Sequence, residues 1–174
     1  RSMKLIVRGN GIGATQGTAQ WGKHVFPCAL GRSGIQPKVK EWDGTTPIGD
    51  FPFRKVYARK DKISLPKTKL PLIVTEENMG WCDDAGDKEN YNRPVELPYN
   101  KSHEKLWRDD DLYDVVLVIG HNDDPPCPGL GSAIFIHVAR EGFSPTEGCI
   151  AFKLEDLQMI LETATQETIV EIRP

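Results

Sequence analysis

Ile134-Phe135-Ile136-His137, with the return Pro145-Thr146-Glu147-Gly148-Cys149-Ile150 that sets Cys149 twelve residues past the histidine, is the stretch around which this chain is read. An apolar run closes on a histidine, a polar loop leaves it, and the chain re-enters an apolar run through Gly-Cys. Side chains alternate between the two faces of a strand. Paired as neighbouring strands, the two runs therefore bring imidazole and thiol to face each other. Thiol chemistry needs that arrangement, because a free cysteine near pKa ~8.5 is mostly neutral at pH 7 and an adjacent imidazole can take its proton. A strand that starts at Gly148-Cys149 also leaves backbone N–H groups for an oxyanion, worth about 2.7–4 kcal/mol in acyl transfer. A buried core cysteine beside a satisfied core histidine is the plain alternative.

The chain has 174 residues, the size of a single domain spanning 1–174 and enough to bury a core without disulfides. A net charge of −3 argues against a basic face for nucleic acid. No apolar run approaches the ~18 residues of a membrane span. Arg1-Ser2-Met3-Lys4 lacks the apolar segment of a signal peptide, and Arg1-Ser2 is either a leftover ahead of Met3 or the start left after removal of a leader. None of Cys28, Cys82, Cys127 and Cys149 forms a Cys-x-x-Cys pair. A nucleophilic Cys149 must stay free, which leaves at most one internal bridge among the other three.

Most of the chain reads as strand. Met3 to Val7 precedes the turn Gly9-Asn10-Gly11, and Asn-Gly is a strong hairpin signal. The glycine spacing there fits neither a phosphate loop nor a dinucleotide fingerprint. Trp21 to Leu30, Arg54 to Tyr57, Leu70 to Thr75, Asp114 to Ile119, Ser132 to Val138, Gly148 to Phe152 and Thr168 to Ile172 are further strand candidates. Prolines 47, 52, 66, 71 and 94 argue against long helices in the first hundred residues. Leu154, Leu157, Ile160, Leu161 and Ala164 recur at helical spacing and predict a helix over about 154–164. Residues 78–112 are polar and aromatic without period and read as an inserted region, with a short helix expected after Ser102 as N-cap.

Around the central pair, His121 ends a strand and is a candidate for the same pocket. Tyr91, Asn92, Arg93 and Arg140 are candidate groove-lining groups, arginine being suited to carboxylates. His121, Cys127, His137 and Cys149 are residue types that suit zinc, but their spacings of 6, 10 and 12 match no compact zinc motif.

Thr46-Pro47-Ile48-Gly49-Asp50-Phe51, then His137, then Thr146-Glu147-Gly148-Cys149-Ile150 resemble the YkuD-type L,D-transpeptidase domain. The resemblance covers about residues 4–172 and implies a β-sandwich. It implies Cys149 as nucleophile, His137 as its base, and Gly148 and Thr146 as part of the site. The implied reaction joins peptidoglycan stem peptides without metal or organic cofactor. Carbapenem-type β-lactams are then expected covalent inhibitors, and a monomer in the periplasm is the expected setting. The chain departs from the family pattern at Glu147, where a histidine is usual, at Ala151, where an arginine is usual, and in the short loop between His137 and Cys149. Trp81-Cys82-Asp83-Asp84, Tyr91-Asn92-Arg93, Ser102 to Arg108, Gly131 to Phe135 and the Pro-Thr-Glu-Gly-Cys form of the motif resemble a proteobacterial branch. That branch is associated with L-alanine–meso-diaminopimelate cross-links.

Overall fold

In the computed structural model, residues 3–174 are described, and the Arg1-Ser2 pair lies outside them. The chain opens as an antiparallel meander of β1 (Lys4–Gly9), β2 (Gln16–Trp21) and β3 (His24–Ala29). The Asn-Gly turn expected after β1 is present, with the Asn10 amide donating to the Gln16 carbonyl at 3.0 Å. The single strand expected over Trp21 to Leu30 is instead split. Gly22 adopts φ +58°, a left-handed turn that reverses the chain between β2 and β3.

Next come the two-residue strands β4 (Ile35–Gln36) and β5 (Thr46–Pro47), paired in parallel, then the ten-residue β6 (Gly49–Ala58) and the short β7 (Leu72–Val74). The inserted region forms a three-stranded sheet from β8 (Met79–Cys82), β9 (Pro94–Glu96) and β10 (His103–Lys105). The short helix expected after Ser102 is absent. Leu106 is the buried apolar residue of that segment, and the Ser102 hydroxyl donates to Asp83 instead of capping a turn. Without an apolar stripe, nothing would hold such a helix against the body.

The chain then supplies β11 (Val115–Ile119), β12 (Phe135–Val138), β13 (Ile150–Phe152), the helix α1 (Leu154–Thr163) and β14 (Ile169–Arg173). The helix agrees with the 3.6-residue pattern. Leu157, Ile160, Leu161 and Ala164 are fully buried in the main core.

The strand order of the large sheet is β11-β12-β13-β3-β2-β1-β14-β6-β7. β6 pairs with β14 through Gly49 to Pro52 and with β11 from Phe53 onward. The sheet therefore returns on itself, and the sandwich expected from sequence takes the form of a closed sheet with β7 on its edge.

Alternate residues of β12 and β13 divide between two apolar clusters. Ile136, Val138, Ile150 and Phe152 join the main core with α1. Phe135 and Cys149 face the other way, into a smaller cluster with Tyr57, Trp81, Leu106 and Tyr113. Trp81 and Leu106 come from the inserted region, so the insertion roofs the outer face of the strands that carry the histidine and the thiol.

Candidate active site

β12 and β13 are parallel neighbours, with Ile136 opposite Ile150 and His137 opposite Ala151. Phe135 and Cys149 precede these pairs in register. The Phe135 amide donates to Cys149 Sγ at 3.3 Å, and the thiol donates to the Ala133 carbonyl at 3.2 Å. His137 and Cys149 thus share the outer face, as the opening stretch of sequence predicts, and both line one cavity of about 370 Å³.

The loop before the cysteine is built around glycine. Gly148 has φ +141°, and a Cβ there would meet the Thr45 carbonyl oxygen at 2.7 Å and Ile134 Cδ1 at 3.1 Å. A larger residue would have to displace backbone to fit. Thr46, from the distant Thr-Pro motif, donates its hydroxyl to the Gly148 carbonyl at 2.9 Å while accepting from the Gly31 amide at 2.8 Å. Thr146 closes the turn from within, donating to the Cys149 carbonyl at 2.7 Å and accepting from the Gly148 amide at 3.1 Å. The Gly148 amide is therefore committed. The Cys149 amide makes no hydrogen bond among the described residues, which leaves it available for a developing oxyanion.

The group that orients the imidazole is a backbone carbonyl. His137 Nδ1 lies 2.9 Å from the Val138 oxygen, and a carbonyl only accepts, so Nδ1 carries the proton. Nε2 is then the basic nitrogen. Tyr113 packs edge-on against this ring at 5.3 Å.

Both members of the pair are neutral at rest. Burial lowers the His137 pKa to about 4, with the Val138 bond opposing and the charges of Arg108 and Arg140 adding to the drop. Burial raises the Cys149 pKa to about 12; the Glu104 charge adds to this and the Phe135 amide opposes it. A resting thiolate–imidazolium pair is thus disfavoured from both sides.

The other sequence candidates divide into three groups. Arg140 and Thr146 line the same cavity as the pair. His121, Asn92 and Arg93 line a neighbouring cavity of about 320 Å³ that shares Ile134 with the first. His121 is largely enclosed, with its ring against Phe51, its Nδ1 unpartnered among the described residues and its pKa pushed down to about 4 by burial. Tyr91 is fully buried, and its hydroxyl binds Glu41 and accepts from the Gly131 amide.

Asn92 also acts as a brace. Its Oδ1 accepts from Trp81 Nε1 and the Ala133 amide, and its Nδ2 donates to the carbonyls of His121 and Asn122. Ala133 in turn receives the thiol hydrogen bond, so Asn92 fixes Cys149 through one intermediate residue.

Sequence reasoning did not single out Lys38, Glu41, Glu104, Arg108, Tyr113 or Ser132, all of which line the cavity. They carry no local motif, since the 38–43 loop, β10 with the residues after it, and the approaches to β11 and β12 bring them in separately. Glu147 forms an exposed ion pair with Arg32 at 2.8 Å, and Arg32 also donates to the Trp42 carbonyl. Among the described residues, no group of three His, Cys, Asp or Glu converges as metal ligands.

A thiol and an oriented imidazole thus share the outer face of a closed sheet, two groups of the kind that nucleophilic catalysis uses. Residues 15–172 match the YkuD model, the L,D-transpeptidase catalytic domain, and the chain belongs to that family. L,D-transpeptidase 1 of Mycobacterium tuberculosis is similar at 14% identity and TM-score 0.40, over 98% of this chain and 62% of its own. An L,D-transpeptidase from Mycobacterium smegmatis is similar at 13% identity and TM-score 0.42, over 99% of this chain and 59% of its own. The chain thus spans about six tenths of the length of these two structures. No curated protein matches it.

Proposed function

We propose that this domain is a peptidoglycan L,D-transpeptidase with Cys149 as nucleophile and His137 as general base. The observation that carries this reading is an Nδ1-anchored imidazole and a thiol that share one face of neighbouring parallel strands and line one cavity. The thiol attacks the carbonyl of an L–D peptide bond in a donor stem. As the S–C bond forms, the proton passes from Sγ to His137 Nε2, since neither group is charged beforehand. The Cys149 amide donates to the oxyanion, and His137 returns the proton to the leaving amine. The thioester that remains is resolved by the side-chain amine of a diaminopimelate on an acceptor stem. Arg140, exposed and lining the same cavity, suits a stem carboxylate.

The proposed product is an L-alanine–meso-diaminopimelate cross-link, on the branch resemblance of the Pro-Thr-Glu-Gly-Cys motif. The substrate makes the periplasm the proposed location, and a single domain acting as a monomer with no cofactor is sufficient. Carbapenem-type β-lactams would acylate the same sulfur. No helix among the described residues is long and apolar enough to cross a membrane.

Incubation with purified muropeptides and mass spectrometry of the products tests the reading. The intact domain is expected to give a cross-linked dimer, and Cys149→Ala to lower its rate by at least about 10³-fold. Equal product from the variant would sink the nucleophile assignment. Product made only by hydrolysis would make the domain a carboxypeptidase or endopeptidase, and no product at all a silent wall-binding sheet.

A further inference from the structure

The cavity carries two carboxylates with no cationic partner. Tyr113 donates its hydroxyl to Glu104 Oε1 at 2.6 Å, while Ser132 at 2.7 Å and Tyr91 both donate to Glu41 Oε1. In each glutamate Oε2 takes no hydrogen bond among the described residues. The cavity's cations are largely committed elsewhere. Lys38, its side chain only 2% exposed, is paired with Asp43 at 2.6 Å. Arg108 is forked onto Asp110 at 2.9 and 2.7 Å. Burial, only partly offset by the Tyr113 hydroxyl and Arg108, raises the Glu104 pKa, the mark of a carboxylate short of counter-charge. Glu104 also lies close enough to Cys149 for its charge to act on the thiol.

We infer that Glu104, assisted by Glu41, seats the primary ammonium of the acceptor and takes its first proton. The inference rests on the acyl-transfer reading above and adds how the acceptor is chosen. A primary amine is an ammonium at neutral pH and cannot attack. Bound to Glu104 Oε2, it passes one proton to the carboxylate and becomes a neutral amine. That amine attacks the thioester carbonyl, the C–S bond breaks, its second proton passes through His137 to the sulfur, and Glu104 later releases its proton to solvent. Water gains nothing from this seat, so the carboxylate biases the acyl-enzyme toward transfer. Glu104 stands on β10, in the inserted region, which makes the insertion a source of acceptor selectivity as well as a roof.

Competition between two small nucleophiles of similar size tests this. Methylamine is a cation at pH 7 and hydroxylamine is neutral. With a muropeptide donor and both nucleophiles present, the wild-type domain is expected to give a methylamide-to-hydroxamate ratio at least about tenfold above that of a free alkyl thioester in the same buffer. Glu104→Gln, which keeps the Tyr113 hydrogen bond, is expected to bring the ratio back toward the free-thioester value. A wild-type ratio equal to that of the free thioester overturns the inference without any variant. A Glu104→Gln ratio within twofold of wild type also overturns it. If intact-mass measurement finds no acyl-enzyme, the acyl-transfer reading fails as well. An acyl-enzyme that shows no preference for methylamine removes only the inference.

Discussion

Cys28 and Cys149 are both buried, and burial raises both pKa values to about 12, yet they sit in unlike surroundings. Cys28 is 1% exposed inside the closed sheet, among Leu5, Phe26 and Leu30 in the main core. Cys149 is 8% exposed on the opposite face, with an aromatic cluster behind it and a cavity bearing an imidazole and the carboxylates of Glu41, Glu104 and Glu147 in front. What separates the core cysteine from the cavity-lining one is the face of the sheet, not burial or thiol acidity. The same alternation separates Ile136 from His137 and Ile150 from Cys149. A one-residue shift in the register of β13 would turn Cys149 toward the core and Ile150 outward.

The comparison is broken most sharply by alkylation with iodoacetamide followed site by site. Cys149 is expected to react at a rate that climbs about tenfold per pH unit between pH 7 and 9, because the thiolate fraction rises that way below a high pKa. Cys28 should stay unlabelled in the folded protein over the same range. A rate at Cys149 that is already flat near pH 6 would reveal a resting thiolate–imidazolium pair and contradict the neutral state.

Acid stability sharpens it further. The folded His137 pKa of about 4 lies below the ordinary value of 6.5, so between those two pH values the unfolded chain binds more protons. Stability is then full above pH 6.5, falls as the pH drops toward 4, and levels off below. The loss from this group is up to about 3 kcal/mol. His121 is shifted in the same direction and adds to the loss. Chemical denaturation of His137→Gln across that window should show a shallower fall, and an unchanged slope would remove the buried imidazole as its cause.

The smallest effect belongs to the rim. Arg32 and Glu147 pair at 2.8 Å with side chains 49% and 67% exposed. Arg32→Ala should cost less than about 1 kcal/mol, and the difference should shrink in high salt. A larger loss in the denaturation midpoint would mean that the Trp42 carbonyl contact, not the ion pair, anchors the loop.

The site's centre was legible because strand alternation and Gly-Cys are local signals: residues 134–137 and 148–152 carry their own pattern. The motif at Thr46 was legible only through resemblance, and its reason is the hydroxyl bridge between Gly31 and Gly148. The Val138 carbonyl left no trace, since any residue at 138 presents one. Glu104 and Glu41 were missed because they reach the cavity through pairings between distant segments. Tyr91 and Asn92 were read as groove-lining because they are polar and aromatic. In the fold those same groups satisfy buried backbone, Asn92 at φ +57° and Tyr91 beneath Gly131. The break at Gly22 was missed because Trp21 and Val25-Phe26 were read as one run across it.

β14, formed by residues Ile169–Arg173, runs between β1 and β6, so strands near opposite ends of the chain are direct neighbours. During synthesis the sheet has two open edges until residues 169–173 leave the ribosome, and non-local pairings of this kind form slowly. β12 and β13 will have emerged by then, but the sheet that holds them is not yet closed. Closure of the sheet thus waits for residues 169–173 to be made.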